Sequence, residues 1–184
     1  MRSVTIVAVA AALSLSGCSK SPEGDKRSGA AESSVAVTPA KVEEIAASVP
    51  EDIRNSGKLI IGVNIPYAPN EFKDADGKIV GFDVDLMNAV AGVLGLTPEY
   101  RESDFAKIIP SIDGGTYNVG MSSFTDTKER QESVDFVDYF TAGTLWAQRP
   151  GAPIEPNEAC GKKVAVQATT VQDTEELPAK SATC

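Results

Sequence analysis

The segment Gly120-Met-Ser-Ser-Phe-Thr-Asp-Thr-Lys-Glu-Arg130 gathers side chains that together could hold a small anion. Ser122, Ser123 and Thr125 offer hydroxyls and backbone N–H groups. Arg130 adds a planar, permanently charged fork that pairs bidentately with a carboxylate. At the start of a helix the same groups would also gain from the helix dipole. The Thr/Asp-x-x-Glu spacing fits a simpler role as well, a loop followed by an N-capped surface helix. Chemistry of this kind binds rather than transforms. The 184 residues contain no histidine, the commonest general base and metal ligand. No Cys/His/Asp set has metal-ligand spacing, and no cofactor motif occurs.

A carboxylate receptor needs strands and helices to aim it. Apolar positions at helical spacing predict a short amphipathic helix over residues 40–49, interrupted by Pro50. The β-branched run 58–63 reads as a buried strand, and residues 64–70, with Pro66 and Pro69, as the loop at its C-terminal end. Residues 71–80 read as a hairpin around Gly77. Asp83 is expected to cap a helix running to Leu94, with Leu86, Val90, Val93 and Leu94 on its apolar face and Gly95 closing it. Further strands are expected at 97–102, 116–121, 134–137 and 144–148, with helices at 105–112 and 127–132. Such alternation implies a mostly parallel α/β sheet, in which ligands bind beyond the C-terminal ends of the strands. Loops 64–70 and 122–130 both lie at such ends.

The N-terminus reads as a targeting segment. Arg2 precedes an apolar run too short to span a bilayer, which ends in Leu15-Ser16-Gly17-Cys18. That tetrapeptide resembles a bacterial lipobox, so residues 1–17 are expected to be a lipoprotein signal peptide and Cys18 the lipidated residue. Residues 18–38, rich in Ser, Gly, Ala and charge, should form a flexible tether. The chain carries 17 basic and 26 acidic residues, for a net charge of −9. This balance argues against a nucleic-acid partner. With Cys18 assigned to lipid, Cys160 and Cys184 remain, an even pair outside the cytosol. A bridge between them would be worth roughly 3–4 kcal/mol in the chain-entropy model; free or differently paired thiols are the alternative.

The ordered series Gly62-Val-Asn-Ile-Pro-Tyr-Ala-Pro-Asn-Glu-Phe72, Gly81-Phe-Asp-Val-Asp-Leu86, Ile108-Ile-Pro-Ser-Ile112 and Ser123-Phe-Thr…Arg130…Val134-Asp-Phe136 resembles the extracellular solute-binding proteins of polar amino-acid ABC transporters. The likeness runs from about Lys58 to Gln172. It implies an α/β fold of the periplasmic-binding-protein type II kind, with two lobes that close on the ligand. Residues 39–149 would form lobe 1, and residues 150–184 would begin an incomplete lobe 2. The likeness also assigns roles. Arg130 would bind the ligand α-carboxylate, with Thr125 near it and Ser123 contributing largely through its backbone. Tyr67 would pack over the aliphatic part of the ligand, with Phe105 opposite. Asn64 would read the ligand side chain, and Thr170 would add a donor to the carboxylate.

A neutral amide at Asn64 points to a polar, glutamine- or glutamate-like ligand. Asn70 stands where relatives carry an aromatic residue, and Thr169 where they often carry glycine. The family's second lobe runs on well past the point reached at Cys184. The expectation is therefore an unpaired sheet edge, exposed apolar surface and little tight binding. The implied partners are ABC permease subunits, and the implied location is the extracytoplasmic face of the membrane. The alternatives are an enzyme on the same fold, resembling cyclohexadienyl dehydratase and working through Asp and Glu, and a ligand-sensing module.

Overall fold

The computed structural model describes residues 39–151 and 153–184. The signal, Cys18 and tether readings lie outside these residues. Strand β1 (Lys58–Val63) is the centre of a three-stranded parallel sheet, flanked by β4 (Thr97–Glu102) and β5 (Val119–Gly120). Its register pairs Lys58 with Thr97 through Val63 with Glu102 on one side, and Ile61 with Val119 on the other. Leu59, Ile61 and Val63 are buried, as a strand covered on both faces requires. Between β1 and β4 the chain makes a hairpin of β2 (Phe72–Lys73) and β3 (Ile79–Val80), then helix α3 (Phe82–Leu94). Helix α4 (Phe105–Asp113) links β4 to β5. Met87, Ala91 and Leu96 meet the buried face of β1 and Met121 in a single core. Ile108 of α4 lies directly over Gly62 and Gly120, where any added Cβ would meet it.

The structure corrects several sequence expectations. The predicted helix 40–49 is one turn, α1 (Glu43–Ala46). Pro50 does more than interrupt it: it is the N-cap of a second helix, α2 (Glu51–Ser56), with Glu51 and Asp52 in the first turn and Gly57 closing it in the left-handed conformation. Asp83 does not cap α3. Gly81 does, and the first N–H groups are taken by loop carbonyls, Phe82 N–H by Pro69 and Asp83 N–H by Asn70. The buried stripe of α3 is Val84, Met87 and Ala91, so Val90 faces outward.

The strand expected at 116–121 pairs only at Val119–Gly120. Upstream the Asn118 side chain takes over, its Oδ1 accepting the Ile60 N–H. The segments expected as strands at 134–137 and 144–148 have no paired neighbour among the described residues, and Val137 and Leu145 are 88% and 91% exposed. Their composition favours extension, yet a strand also needs a partner's N–H and C=O groups. The expected helix 127–132 is a three-residue 3₁₀ turn, Arg130–Glu132, too short to supply a useful dipole. C-terminally, a π turn (Gln172–Glu176) runs into α5 (Leu177–Ser181).

Gly81 has φ 132°, and a Cβ there would collide with the Asn70 carbonyl. Gly81→Ala should therefore destabilise the protein by more than about 1 kcal/mol in urea denaturation. An unchanged midpoint would mean that α3 is not held against the 69–70 loop.

Candidate functional site

Three chain segments leave the C-terminal edge of the sheet side by side: residues 64–70 after β1, 103–105 after β4 and 121–130 after β5. Ser122, 5% exposed, joins two of them. Its oxygen accepts the Asn64 N–H at 3.0 Å, continuing the β1–β5 pairing one step beyond the strands, and its O–H donates to Glu71 Oε1. Ser123 has φ 48°, and this left-handed turn sends its hydroxyl inward, donating to Asp83 Oδ2 at 3.2 Å and accepting from Asn70 Nδ2 at 2.7 Å. The two serines thus point their hydroxyls into the protein.

Arg130 is positioned from four directions. Its backbone N–H donates to Thr127 Oγ1 at 3.2 Å, whereas the expected Asp-x-x-Glu cap is not formed, since the turn begins at Glu129 without a side-chain cap. Its guanidinium donates through one terminal nitrogen to the Thr125 carbonyl at 2.7 Å and through the other to the Thr169 carbonyl at 2.9 Å. Phe105 and Phe124 stack with centroids 4.2 Å apart, and the guanidinium carbon lies 5.6 and 5.5 Å from the two rings, so both share the cation. Burial lowers the Arg130 pKa from its ordinary value, opposed by the nearby Glu175 and Glu129 carboxylates. The group stays charged at any physiological pH. Beside it opens a cleft of about 250 Å³ whose walls include Phe105, Ile109, Phe124, Thr169, Val171 and Glu175.

The other sequence-predicted residues lie at different distances from this cleft. Phe105 and Arg130 meet in it. Thr125 contributes its carbonyl to Arg130 and leaves its side chain exposed. Asn64 lines a separate cavity of about 450 Å³ with Ser103, Glu102 and Lys107; its Nδ2 donates to the Ser103 carbonyl and its Oδ1 accepts from Gln167 Nε2, each at 2.8 Å. Tyr67 is 53% exposed and lines neither cavity. Thr170 donates its hydroxyl to the Gln167 carbonyl at 2.7 Å, within its own turn. Thr169, where glycine was noted as common, has φ 65°, the left-handed conformation that glycine adopts most easily. Cys160 and Cys184 are disulfide-bonded, closing a loop that contains Gln167, Thr169 and Thr170.

Sequence reasoning passed over two groups. Phe124 lies inside the quoted Ser123-Phe-Thr motif, and its apolar face beside an arginine was the available signal. Tyr139, half-buried, donates to Asp83 Oδ2 at 3.0 Å, a contact 56 residues apart in sequence that no local pattern announces.

The chain matches the family model described as bacterial extracellular solute-binding proteins, family 3, over residues 59–179. It is 43% identical over 182 residues to the arginine-binding protein ArgT of Corynebacterium glutamicum, a match that covers 98% of this chain and 59% of that protein. It is 33% identical to the lysine/arginine/ornithine-binding periplasmic protein of Escherichia coli, covering 69% of this chain and 48% of that protein. Among solved structures it resembles an arginine-bound ArgBP variant from T. maritima, with a TM-score of 0.65 and 36% identity over 69% of this chain and 62% of the other. The chain therefore spans between about half and three fifths of the length of these curated relatives. On the strength of the family match and of a type II periplasmic-binding-protein architecture, this chain belongs to the bacterial extracellular solute-binding proteins, family 3.

Proposed function

We propose that this chain contributes the carboxylate-binding half of an extracytoplasmic amino-acid receptor, with Arg130 as the anchor for the ligand α-carboxylate. One observation carries the reading. A guanidinium has five N–H donors, two of the Arg130 donors go to backbone carbonyls, and three lack a protein partner among the described residues. Rings and carbonyls fix its plane in advance, which lowers the entropic cost of a bidentate contact. Glu129 and Glu175 on the same cleft supply the opposite charge, so the site suits a zwitterion better than a simple anion.

In this reading the ligand is a cationic amino acid. The relatives named above carry arginine-, lysine- and ornithine-binding names, and others are histidine-binding proteins. A cationic side chain replaces the glutamine- or glutamate-like one suggested by Asn64. These names are those of binding proteins, which favours a receptor over an enzyme. Residues 39–149 form the first lobe and residues 150–184 the beginning of the second, with Thr169 facing Arg130 across the cleft. Cys18 carries a lipid anchor that holds the receptor at the outer face of the membrane, where ABC permease subunits receive the ligand.

Calorimetry on the 184-residue chain, at ligand concentrations high enough for the weak binding expected of an incomplete second lobe, tests the anchor. A charge-assisted pair is worth about 1.5–3 kcal/mol, so argininamide, which lacks the carboxylate, should bind about ten- to a hundredfold more weakly than arginine. Arg130→Ala should abolish that difference. Equal affinity for arginine and argininamide in the unmodified chain would remove Arg130 from the carboxylate role.

Phe105→Ala and Phe124→Ala should each weaken arginine binding by a smaller factor, about two- to fivefold, because each removes one ring sharing the cation. Losses as large as that of Arg130→Ala would show instead that the rings bind the ligand directly.

A further inference from the structure

Glu71 and Asp83 are both 0% exposed. Glu71 Oε2 and Asp83 Oδ1 are buried oxygens without a hydrogen-bond partner among the described residues. Their serine partners, Ser122 and Ser123, are consecutive in the chain, which brings the two carboxyl groups to one place, and Asp83 is among the groups that raise the Glu71 pKa. No lysine or arginine forms an ion pair with either among the described residues. Two buried, unpaired carboxylates at this separation would repel strongly, and each orphaned oxygen would bear a desolvation cost. A single proton between them removes the repulsion and supplies the missing donor.

We propose that Glu71 and Asp83 share one proton, and that this acid–carboxylate pair is the positioning element that holds loops 64–70 and 122–130 in their binding geometry. The donors around the pair decide where the proton resides. Among the described residues, Asp83 accepts from Ser123 Oγ and Tyr139 OH, whereas Glu71 accepts from Ser122 alone. Glu71, with fewer donors around it, carries the proton. The pair then reaches both site loops. Glu71 orients Ser122, which holds the Asn64 N–H; Asp83 orients Ser123, which holds Asn70.

Among the described residues, the titratable groups facing the pair are few. Asp83 of α3 faces Glu71, and Tyr139 of the 133–149 segment faces Asp83, its own pKa raised by burial first and by Asp83 as well. Burial, and secondarily Asp83, push Glu71 from an ordinary 4.5 up to about 8, with Ser122 pulling the other way. Between those values the folded protein holds a proton that the unfolded chain has released. Stability is therefore highest below the lower value, falls as pH rises through the window and levels off above the upper one. At neutral pH the loops are held; in alkali the second charge forces the pair apart.

The role in binding rests on the amino-acid-binding reading, whereas the shared proton does not, so the test separates them. Amide chemical shifts of Asn64 and Asp83 are followed by NMR in the full 184-residue chain without ligand from pH 5 to 10. Both amides should titrate together, with an inflection near pH 8. Glu71→Gln should remove the inflection, and Asp83→Asn should move it to lower pH. In parallel, arginine affinity should fall severalfold across the same inflection in the unmodified chain and stay level in Glu71→Gln. The absence of a shared inflection in the unmodified chain overturns the proposal, even if a variant fails to fold. So does an inflection that Glu71→Gln leaves in place. Amides that titrate as expected in a chain that binds no arginine at any pH would uphold the shared proton and the loop geometry, and count against the amino-acid reading alone.

Discussion

The Ser122 hydroxyl bears the constraint on which the rest of the site depends. One oxygen serves as acceptor to the backbone beyond β1 and as donor to a buried carboxyl group at the foot of the β2–β3 hairpin. Parallel strands cannot be joined by tight turns, so the loops at their C-terminal ends would otherwise be set only by distant packing. A hydroxyl that lengthens the ladder by one bond fixes residue 64 relative to residue 122 at the point where the chain leaves the sheet. Everything downstream inherits that register: the left-handed turn at Ser123, the placement of Phe124 on Phe105, and the approach of Arg130 to both rings.

The division between polar residues turned inward and those turned outward is as informative as their identities. Ser122 and Ser123 invite reading as ligand donors because hydroxyl groups commonly serve that way. Their hydroxyls donate to buried carboxyl groups, and the neighbouring cleft is lined by a guanidinium and two aromatic faces. Backbone carbonyls of Thr125 and Thr169 fill the role often given to acidic partners, orienting Arg130 without neutralising it. A carboxylate in that place would satisfy the arginine fully and leave little attraction for a ligand.

Much of this arrangement was legible in the residues. Strands β1 and β4 and helix α4 follow from β-branched runs, apolar spacing and the placement of glycine, because each is decided by local composition and burial together. Arg130 stood out because few side chains suit a carboxylate so well, and Phe105 because its position matches an apolar one in the family resembled. What escaped was decided by contacts distant in sequence. Asp83 has the form of a cap, but the helix begins before it: Phe82 and Asp83 donate their N–H groups to the carbonyls of Pro69 and Asn70, and Asp85 donates to that of Gly81. Pro50 was read as an interruption when it also begins α2, because a proline that ends one helix is equally well formed to start another. The segments 134–137 and 144–148 carry strand-like residues, yet pairing is a property of two chains and cannot be read from one.

The disulfide lies far from the arginine in sequence, yet it shapes the statistics of the cleft. Thr169, which accepts from Arg130, and Gln167, which donates to Asn64, both belong to the loop closed by Cys160 and Cys184. Without the bridge, residues 160–184 would sample more conformations and meet those partners less often. Closing the segment into a ring raises the effective concentration of those two groups around their partners, because part of the ordering entropy is already lost in the bridge. Covalent chemistry at the edge of the protein thus sets how often the far wall of the cleft is in place.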